Sequence, residues 1–581
     1  MKTLYYKFLV GLFCVGGVTS CDITEFPYSS VTDDELASNP SSIETITLGN
    51  YSYMKNEPFH TGLHYAGEFT SDNVVFSGQS TSGTFNIYNY QRIPENGEVS
   101  KIWTYSYKLI VNCNKVITTA QEGLSKETDH LIGENYFIRA MLYHQLAITF
   151  GKDYHIASAS DLAVPLKLTA DVNDCPPRAT VKAVYEQIIK DLKKAEELMG
   201  NSGVEKNACY ANVWAAKALL SRVYLYMHDY TNAEKYATDV IDYSGKTLLT
   251  NSQYRTMNEL VPESNPEAIF AIRMLKDIDY NTSRTAAMYT IIDGDGWGEV
   301  YASQTLLDAF AKYPNDVRST FIVPQYEDGT DSQEICFISE NFFYNPDSKT
   351  PAEDPLHRNY YRFQPVKKEG NNYFIEAGNN DLFEYQASQV QTRPDGSFYV
   401  IARQVHRDNN STVDGRAEWR EYTVRIQNTM QKRNDYPKYF INKIAYQEKQ
   451  SLLYSPMLFR LSEMYLNRAE ARHYLNNDPG AISDMNVIKE RAGIPAYDKA
   501  NDGEVLDAIL DEARKEFYCE AHRKYDLLRN DKVIDRHYPG CHDRGAEGSV
   551  VQEIRVTDNC AVQYIPQSEI DSYPISLVQN P

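Results

Sequence analysis

Asn212-Val213-Trp214-Ala215-Ala216-Lys217-Ala218-Leu219-Leu220-Ser221-Arg222-Val223-Tyr224-Leu225-Tyr226-Met227-His228, then Asp229, then Tyr230-Thr231-Asn232-Ala233-Glu234-Lys235-Tyr236-Ala237-Thr238-Asp239-Val240-Ile241, is the stretch that decides the fold. Apolar residues recur in both halves at helical spacing, so the stretch predicts a helix from Asn212 to His228 and a second from Tyr230 to about Ile241. Almost nothing joins them, and two helices with so short a link must fold back on each other. Ala233, early in the second helix, is small enough for a close crossing, and Tyr224 is placed to pack across it.

The same period continues upstream. Thr180 is a predicted N-cap, followed by Val181, Val184, Tyr185, Ile188, Ile189, Leu192, Ala195 and Leu198 on one face. A helical region thus extends over about 41–245, with its scaffold placed at 46–245. The pair at 212–241 is similar to a tetratricopeptide unit, although the 34-residue period is too irregular for a clean array. Residues 246–454 change texture: Gly, Asn, Asp and aromatics alternate with short β-rich runs such as Phe398-Tyr399-Val400-Ile401, which predict loops with small sheets. Helices resume at 455. One is predicted from Pro456 to Leu475, with proline at its start. A second runs from Pro479 to Ala492, stopped by Gly493, and a third spans about Glu504 to Arg529. Helical parts on both sides of an irregular centre predict one mainly α domain over 46–581, with 531–581 as a C-terminal segment.

The first residues have another character. Lys2 and Lys7 precede an apolar run from Phe8 to Val18, too short to span a bilayer and read as a secretory signal over 1–20. It ends at Val18-Thr19-Ser20-Cys21, which predicts a lipoprotein signal with Cys21 as the acylated residue, although Val18 and Thr19 depart from the commonest form. Residues 21–45 are then a lipid-anchored tether, stable because several acyl chains hold where one does not. The 581-residue chain as a whole has ordinary globular composition, 42% hydrophobic and 24% charged. Its formal net charge of −21 excludes a nucleic-acid partner, because an acidic surface repels phosphates. Cys14 leaves with the signal and Cys21 is lipidated; the other seven of the nine cysteines show no metal-ligand spacing. Cys541 and Cys560 could pair in an exported protein.

Several further stretches carry a resemblance. They are Glu134-Asn135-Tyr136-Phe137-Ile138-Arg139-Ala140, Ala163-Val164-Pro165-Leu166, Pro177-Arg178-Ala179-Thr180-Val181 and Ala218 to Leu225. Later come Arg460 to Ala471, Asn486 to Gly493, Glu512 to Phe517, His522 to Arg529, Tyr564-Ile565-Pro566 and Gln579-Asn580-Pro581. In this order the chain resembles the SusD/RagB family of Bacteroidetes outer-membrane nutrient-binding lipoproteins. The resemblance implies a SusD-like α scaffold of tetratricopeptide-like helix pairs supporting an irregular ligand-facing region. It implies a cell-surface position in the outer membrane and, as partner, a SusC-like TonB-dependent barrel over which the lipoprotein sits as a lid. It implies glycan binding without catalysis, and no cofactor.

The aromatic residues are the candidates for ligand contact. Of 45 tyrosines, those on predicted helices, such as Tyr224, Tyr226, Tyr465 and Tyr474, read as structural. A pyranose ring needs an exposed aromatic face with amides and carboxylates nearby. Two segments offer that mixture. The first contains Asp72, Asn73, Phe76, Gln79, Phe85, Asn86, Tyr88, Asn89 and Tyr90; the second is Asp293-Gly294-Asp295-Gly296-Trp297-Gly298-Glu299, continuing to Tyr301. The ligand-binding set read from them is Trp297, Tyr88, Tyr90, Phe85, Asn86, Asp72, Asn73 and Tyr301. Trp103 and Trp214, on helices, read as buried. The Asp293–Glu299 run lacks the carboxylate spacing of an EF-hand, so no metal is expected, and Asp316 with Arg318 reads as a structural ion pair. No H-E-x-x-H, G-x-S-x-G or Walker loop occurs. Two readings stay open beside glycan capture: a transporter lid binding a peptide or another nutrient, and a surface glycosidase, since 79 acidic residues leave room for a carboxylate pair.

Overall fold

A computed structural model describes residues 39–78, 82–279, 284–327, 332–337, 363–375, 379–380, 383–386, 389–406, 419–434, 436–538 and 551–581. The signal, Cys21 and most of the tether lie outside the described residues. So do Gln79 and Cys541, the proposed mate of half-buried Cys560.

The first half of the scaffold is α1 (Pro40–Met54), α2 (Glu57–His64), α3 (Gly83–Tyr88), α4 (Gly97–Thr119), α5 (Lys126–Phe150), α6 (Val181–Ser202), α7 (Val213–Tyr226) and α8 (Tyr230–Tyr243). The second half adds α9 (Arg284–Tyr289), α10 (Gln304–Ala311), α11 (Leu461–Tyr474), α12 (Asp478–Ala492), α13 (Val505–Phe517), α14 (Arg523–Leu528) and α15 (Gln567–Ser572). Helix α1 begins inside the stretch expected to be tether, because Asn39 accepts from Ser41 N (3.1 Å) and Pro40 occupies the first turn.

The fold-deciding pair forms as its sequence dictates. Asn212 caps α7 through Trp214 N (3.0 Å) and Ala215 N (3.1 Å), and the buried Ala233 lets α8 approach until Ser221 Oγ donates to its carbonyl (3.1 Å). The Tyr224 and Tyr236 rings stack at 5.7 Å across the crossing. Thr180 caps α6 by accepting from Ala183 N (3.2 Å). Helix α5 packs on both α4 and α6, α11 packs on α12, and α8 packs on α11, so the two halves of the chain share one helical stack. Trp103 is buried in it and Trp214 half-buried.

Two predicted helices begin or end elsewhere. Met457–Arg460 is a strand paired antiparallel with Ala268–Ala271, and α11 starts only at Leu461. The apolar run Met457-Leu458-Phe459 had looked helical, but the partner strand satisfies its backbone. The helix expected over Glu504–Arg529 is broken at 518–522, where Cys519 (φ 62°) and Ala521 (φ 63°) turn left-handed. The break turns the Glu516 and Tyr518 carbonyls onto the buried Lys443 ammonium, at 2.7 and 2.9 Å.

The centre of the chain holds more β structure than the expected small sheets. Among the described residues the first fourteen strands in chain order are β1 (Val74–Phe76), β2 (Leu162–Pro165), β3 (Arg178–Thr180), β4 (Ala268–Ala271), β5 (Val300–Ala302), β6 (Ile322–Pro324), β7 (Gln333–Phe337), β8 (Phe363–Glu369), β9 (Asn372–Ile375), β10 (Asn379–Asn380), β11 (Phe383–Gln386), β12 (Gln389–Thr392), β13 (Phe398–His406) and β14 (Arg420–Asn428). Strand β12 pairs with β9, β9 with β8, β8 with β7, β7 with β14, β14 with β13, and β13 with β12. The ladder therefore closes into a six-stranded antiparallel barrel. Its interior is Ile335, Val366, Val390, Val400, Ala402, Tyr422 and Val424, and the inward residues of β13 and β14 alternate with exposed Ile401 and Glu421 as a barrel wall requires.

Buried charge ties α13 to the rest. Glu516 accepts from Arg460 Nη1 (2.5 Å), Arg318 Nη1 (3.2 Å) and Arg491. Burial alone would raise its carboxyl, but Arg491, Arg460 and Arg318 hold it well below the usual carboxylate range. Arg318 also grips Asp316 (2.8 and 2.6 Å) and Glu512 (2.7 Å) with no exposure at all, the structural ion pair expected of Asp316 and Arg318.

Candidate functional site

The two segments selected from the sequence lie side by side. Strands β1 and β5 pair antiparallel with Val74 opposite Ala302 and Phe76 opposite Val300, Ser77 N donates to Glu299 O (2.9 Å), and Ser303 N donates to Asn73 O (2.9 Å). Within the second segment Asp293 (φ 53°) and Gly294 (φ 86°) form a two-residue turn closed by reciprocal Ile292–Asp295 backbone bonds of 2.9 Å. Asp-Gly is the dipeptide this hairpin turn favours; it is a local signal that explains the run better than any resemblance to a calcium loop.

The glycines that follow aim Trp297. At Gly296 (φ 116°) a side-chain Cβ would stand 2.1 Å from Thr290 O, and at Gly298 (φ 52°) it would stand 2.7 Å from the Phe440 ring. The backbone is clamped beneath: Trp297 N and Gly298 N both donate to Ala287 O (2.7 and 3.0 Å), and Glu299 N to Met288 O (2.8 Å). With its backbone held inward, the Trp297 side chain projects and is 47% exposed.

Polar groups gather at its foot. Arg433 donates to Trp297 O (3.3 Å) and to Glu299 Oε1 (3.0 Å). Asn434 (φ 51°) lies against Gly78, where a Cβ would meet its Nδ2 at 2.5 Å. Tyr326, also 47% exposed, forms a β-bridge with Met430, three residues before Arg433. An accessible indole, a second exposed ring, a carboxylate, a guanidinium and an amide are therefore on neighbouring chain segments. Arg433, Asn434 and Tyr326 were missed in the sequence, since nothing local links residues 326 and 430–434 to Trp297.

The other predicted ligands go inside, with Asn86 half-buried. Phe85 and Tyr88 pack on Phe76 at 5.9 and 4.5 Å, and the buried Arg536 guanidinium lies 4.4 Å over the Tyr88 ring while donating to Tyr88 O (2.8 Å). Tyr90 (φ 56°) donates its hydroxyl to Thr70 O (2.5 Å). Tyr301 is fully buried beside Phe440 at 5.9 Å, and burial raises its phenol. Asn73 donates to Glu68 Oε1 (3.0 Å) and accepts from Arg514 Nε (2.9 Å). Asp72 is gripped by Arg523 (2.9 and 3.1 Å); burial pushes its carboxyl up, but Arg514 and Arg523 outweigh that and bring it down to about 2. Rings interleaved with polar residues looked like a sugar platform; here the rings point into the core and the polar groups pair with arginines from the far end of the chain.

Comparison with known proteins assigns this architecture. A model described as the SusD family matches residues 266–581, and one described as starch-binding associating with outer membrane matches residues 24–225. The chain belongs to the SusD family. Among SusD relatives, the SusD-like protein P38 of Formosa agariphila is 22% identical over 92% of this chain and 92% of its own length. The starch-binding protein SusD of Bacteroides thetaiotaomicron is 25% identical over 91% of each. A solved SusD-superfamily protein of B. thetaiotaomicron superposes with a TM-score of 0.66 at 22% identity, covering 93% of this chain and 99% of that one. A solved protein of Bacteroides vulgatus, named as a putative sugar binding protein, has a TM-score of 0.64 at 26% identity, covering 93% and 98%. The SusD fold is thus the frame that carries the Trp297 loop.

Proposed function

We propose that this chain is a surface lipoprotein that captures a glycan at the Trp297 loop and delivers it, uncut, to a SusC-like TonB-dependent outer-membrane barrel. The observation that carries the reading is the clamped, projecting indole, with Glu299, Arg433 and Asn434 at its base. A pyranose face stacked on that ring gains about 1 kcal/mol beyond its area, and the three polar side chains can meet the sugar hydroxyls that stacking brings down to them. The Arg433 guanidinium lies 3.0 Å from the Glu299 carboxylate, which presents acceptor oxygens beside the ring. The names of the SusD relatives, one starch-binding and one associated with sugar, support the ligand class. Acylated Cys21 is the proposed anchor; among the described residues no helix is long and apolar enough to cross a membrane.

Weak binding suits a relay, and an affinity in the micromolar to millimolar range, about −4 to −8 kcal/mol, fits one or two stacked rings. The test is affinity electrophoresis against plant, host and microbial glycans, with reducing ends assayed in parallel. Retention without release, weakened in Trp297→Ala, supports capture. Release of reducing ends overturns it in favour of a glycosidase, and no retention on any glycan overturns it in favour of a peptide or other nutrient.

A further inference from the structure

Helix α4 carries a second aromatic surface. Trp103, Tyr107 and Val111 recur at four-residue spacing on one face, with Thr104, Lys108 and Asn112 beside them. Together with Tyr53 of α1, the 165–175 loop and Tyr573 beyond α15 they line a cavity of about 600 Å3. That is within the ~300–1,000 Å3 of small-ligand sites.

The rings here are fixed by their hydroxyls. Tyr107 donates to Pro165 O (2.7 Å) and Tyr573 to Pro176 O (2.8 Å). Trp103 is held 5.0 Å from Tyr107 and edge-on to Phe150 at 5.1 Å, and Tyr53 lies 5.3 Å from Tyr105. With their hydroxyls tied back, Tyr107 and Tyr573 turn carbon surface to the cavity, while the buried Trp103 packs behind Tyr107. Around the rim charges of both signs balance: Lys108 and Lys167 stand with Glu569 and Asp174, Thr104 Oγ1 donates to Glu569 (3.3 Å), and Lys167 Nζ donates to the Asp171 and Asp174 carbonyls at 2.5 Å.

This composition selects a ligand class. An anion would find no unbalanced cation. A wholly apolar chain would desolvate Glu569, Asn112 and Asp174 without replacing their bonds to water. A neutral pyranose has an apolar face for the rings and hydroxyls for the rim. The groove and the Trp297 loop are linked through packed elements: β5 pairs with β1, Phe76 of β1 packs on Phe85 of α3 at 5.9 Å, and Gly83 O of α3 accepts from Asn96, the cap of α4 (2.9 Å). Val111 lies roughly 20 Å farther along that helix at 1.5 Å per residue.

We infer that the α4 groove is a second carbohydrate subsite, which takes a neutral stretch of the glycan chain while Trp297 holds another. This rests on the glycan-binding reading above. Two subsites on one polymer raise its retention beyond either alone.

The test is affinity electrophoresis of the full-length chain in detergent on a retained polysaccharide, with Tyr573→Ala, the exposed Asn112→Ala, Trp297→Ala and the Tyr573/Trp297 double variant. Each variant's melting temperature is checked first. The expected result is about fivefold weaker retention for Tyr573→Ala, a smaller loss for Asn112→Ala, residual retention for Trp297→Ala and none for the double variant. Wild-type retention that both groove variants leave unchanged overturns the subsite and spares the Trp297 reading. A wild-type chain that no glycan retains overturns both.

Discussion

Arg523 donates two hydrogen bonds, of 2.9 and 3.1 Å, to the Asp72 carboxylate across 451 residues of sequence. The pair fastens the segment before β1 to α14, so it also fixes the strand that carries the Trp297 loop. Both partners are buried, and removing Asp72 leaves Arg523 without its two carboxylate bonds and Arg514 without the carboxylate 3.6 Å away. Asp72→Ala is expected to cost about 3–5 kcal/mol of unfolding free energy in urea titration. The carboxyl is depressed to about 2 in the folded chain, below its unfolded value. Its contribution is therefore present above pH ~4 and lost as the pH falls from ~4 through 2. Stability of the Asp72→Asn variant should lack that segment of the acid limb.

A second acid limb lies higher. Burial lowers the imidazoles of His64 and His144 to about 3 and that of His60 to about 4. These rings stay neutral in the folded chain, whereas in the unfolded chain they take up protons near 6.5. Stability is therefore full above pH ~6.5 and falls as the pH drops from there through about 4 for His60 and about 3 for His64 and His144, because the unfolded state binds more protons. His144 sits among aromatic rings, edge-on to Tyr226 at 5.0 Å and Tyr185 at 6.0 Å. His144→Phe should flatten the slope of unfolding free energy against pH by about one proton; an unchanged slope would mean that His144 is already charged in the native state.

Much of the scaffold was legible because its signals are local. Thr180 caps, Ala233 permits a crossing and Gly493 stops α12 in left-handed geometry (φ 78°), and each can be recognised from its neighbours. The break at Cys519 and Ala521 was not, because what stabilises it is Lys443, some 75 residues away. The barrel was partly legible. Alternation over Phe398–Ile401 marks a strand, yet closure depends on pairings from β7 to β14 that no single strand announces. For the candidate site, local chemistry misled: Tyr88 looks like Trp297 in sequence, and only Arg536 and Phe76 decide that the one ring is inside. The Asp293-Gly294 turn, by contrast, was present in two residues.

The Trp297 loop depends on glycine in a way that can be measured. A methyl group at Gly296 would stand 2.1 Å from the Thr290 carbonyl at φ 116°, so the loop must move. Gly296→Ala is expected to cost about 1–3 kcal/mol locally and to tip the indole out of its projecting position. Acrylamide quenching of tryptophan fluorescence should fall while the global melting temperature shifts by only a few degrees. Unaltered quenching would show that the clamp at Ala287 alone sets the ring.

Tyr88 and Trp297 separate packing from recognition. Tyr88 is fully buried, with Phe76 on one side and Arg536 on the other. Its truncation to alanine opens a cavity and strips a buried guanidinium of its ring, for an expected loss of about 3–5 kcal/mol. Trp297 is 47% exposed, and its truncation removes little interior contact, so stability should change by less than about 1 kcal/mol. Binding should respond in the opposite order. Trp297→Ala should weaken glycan retention about fivefold or more, whereas Tyr88→Ala, assayed well below its lowered melting temperature, should retain glycan at wild-type strength. Differential scanning calorimetry and affinity gels on the two variants give four numbers, and a Tyr88 variant that folds but loses retention would mean that the buried aromatic plug supports the loop as well as the core.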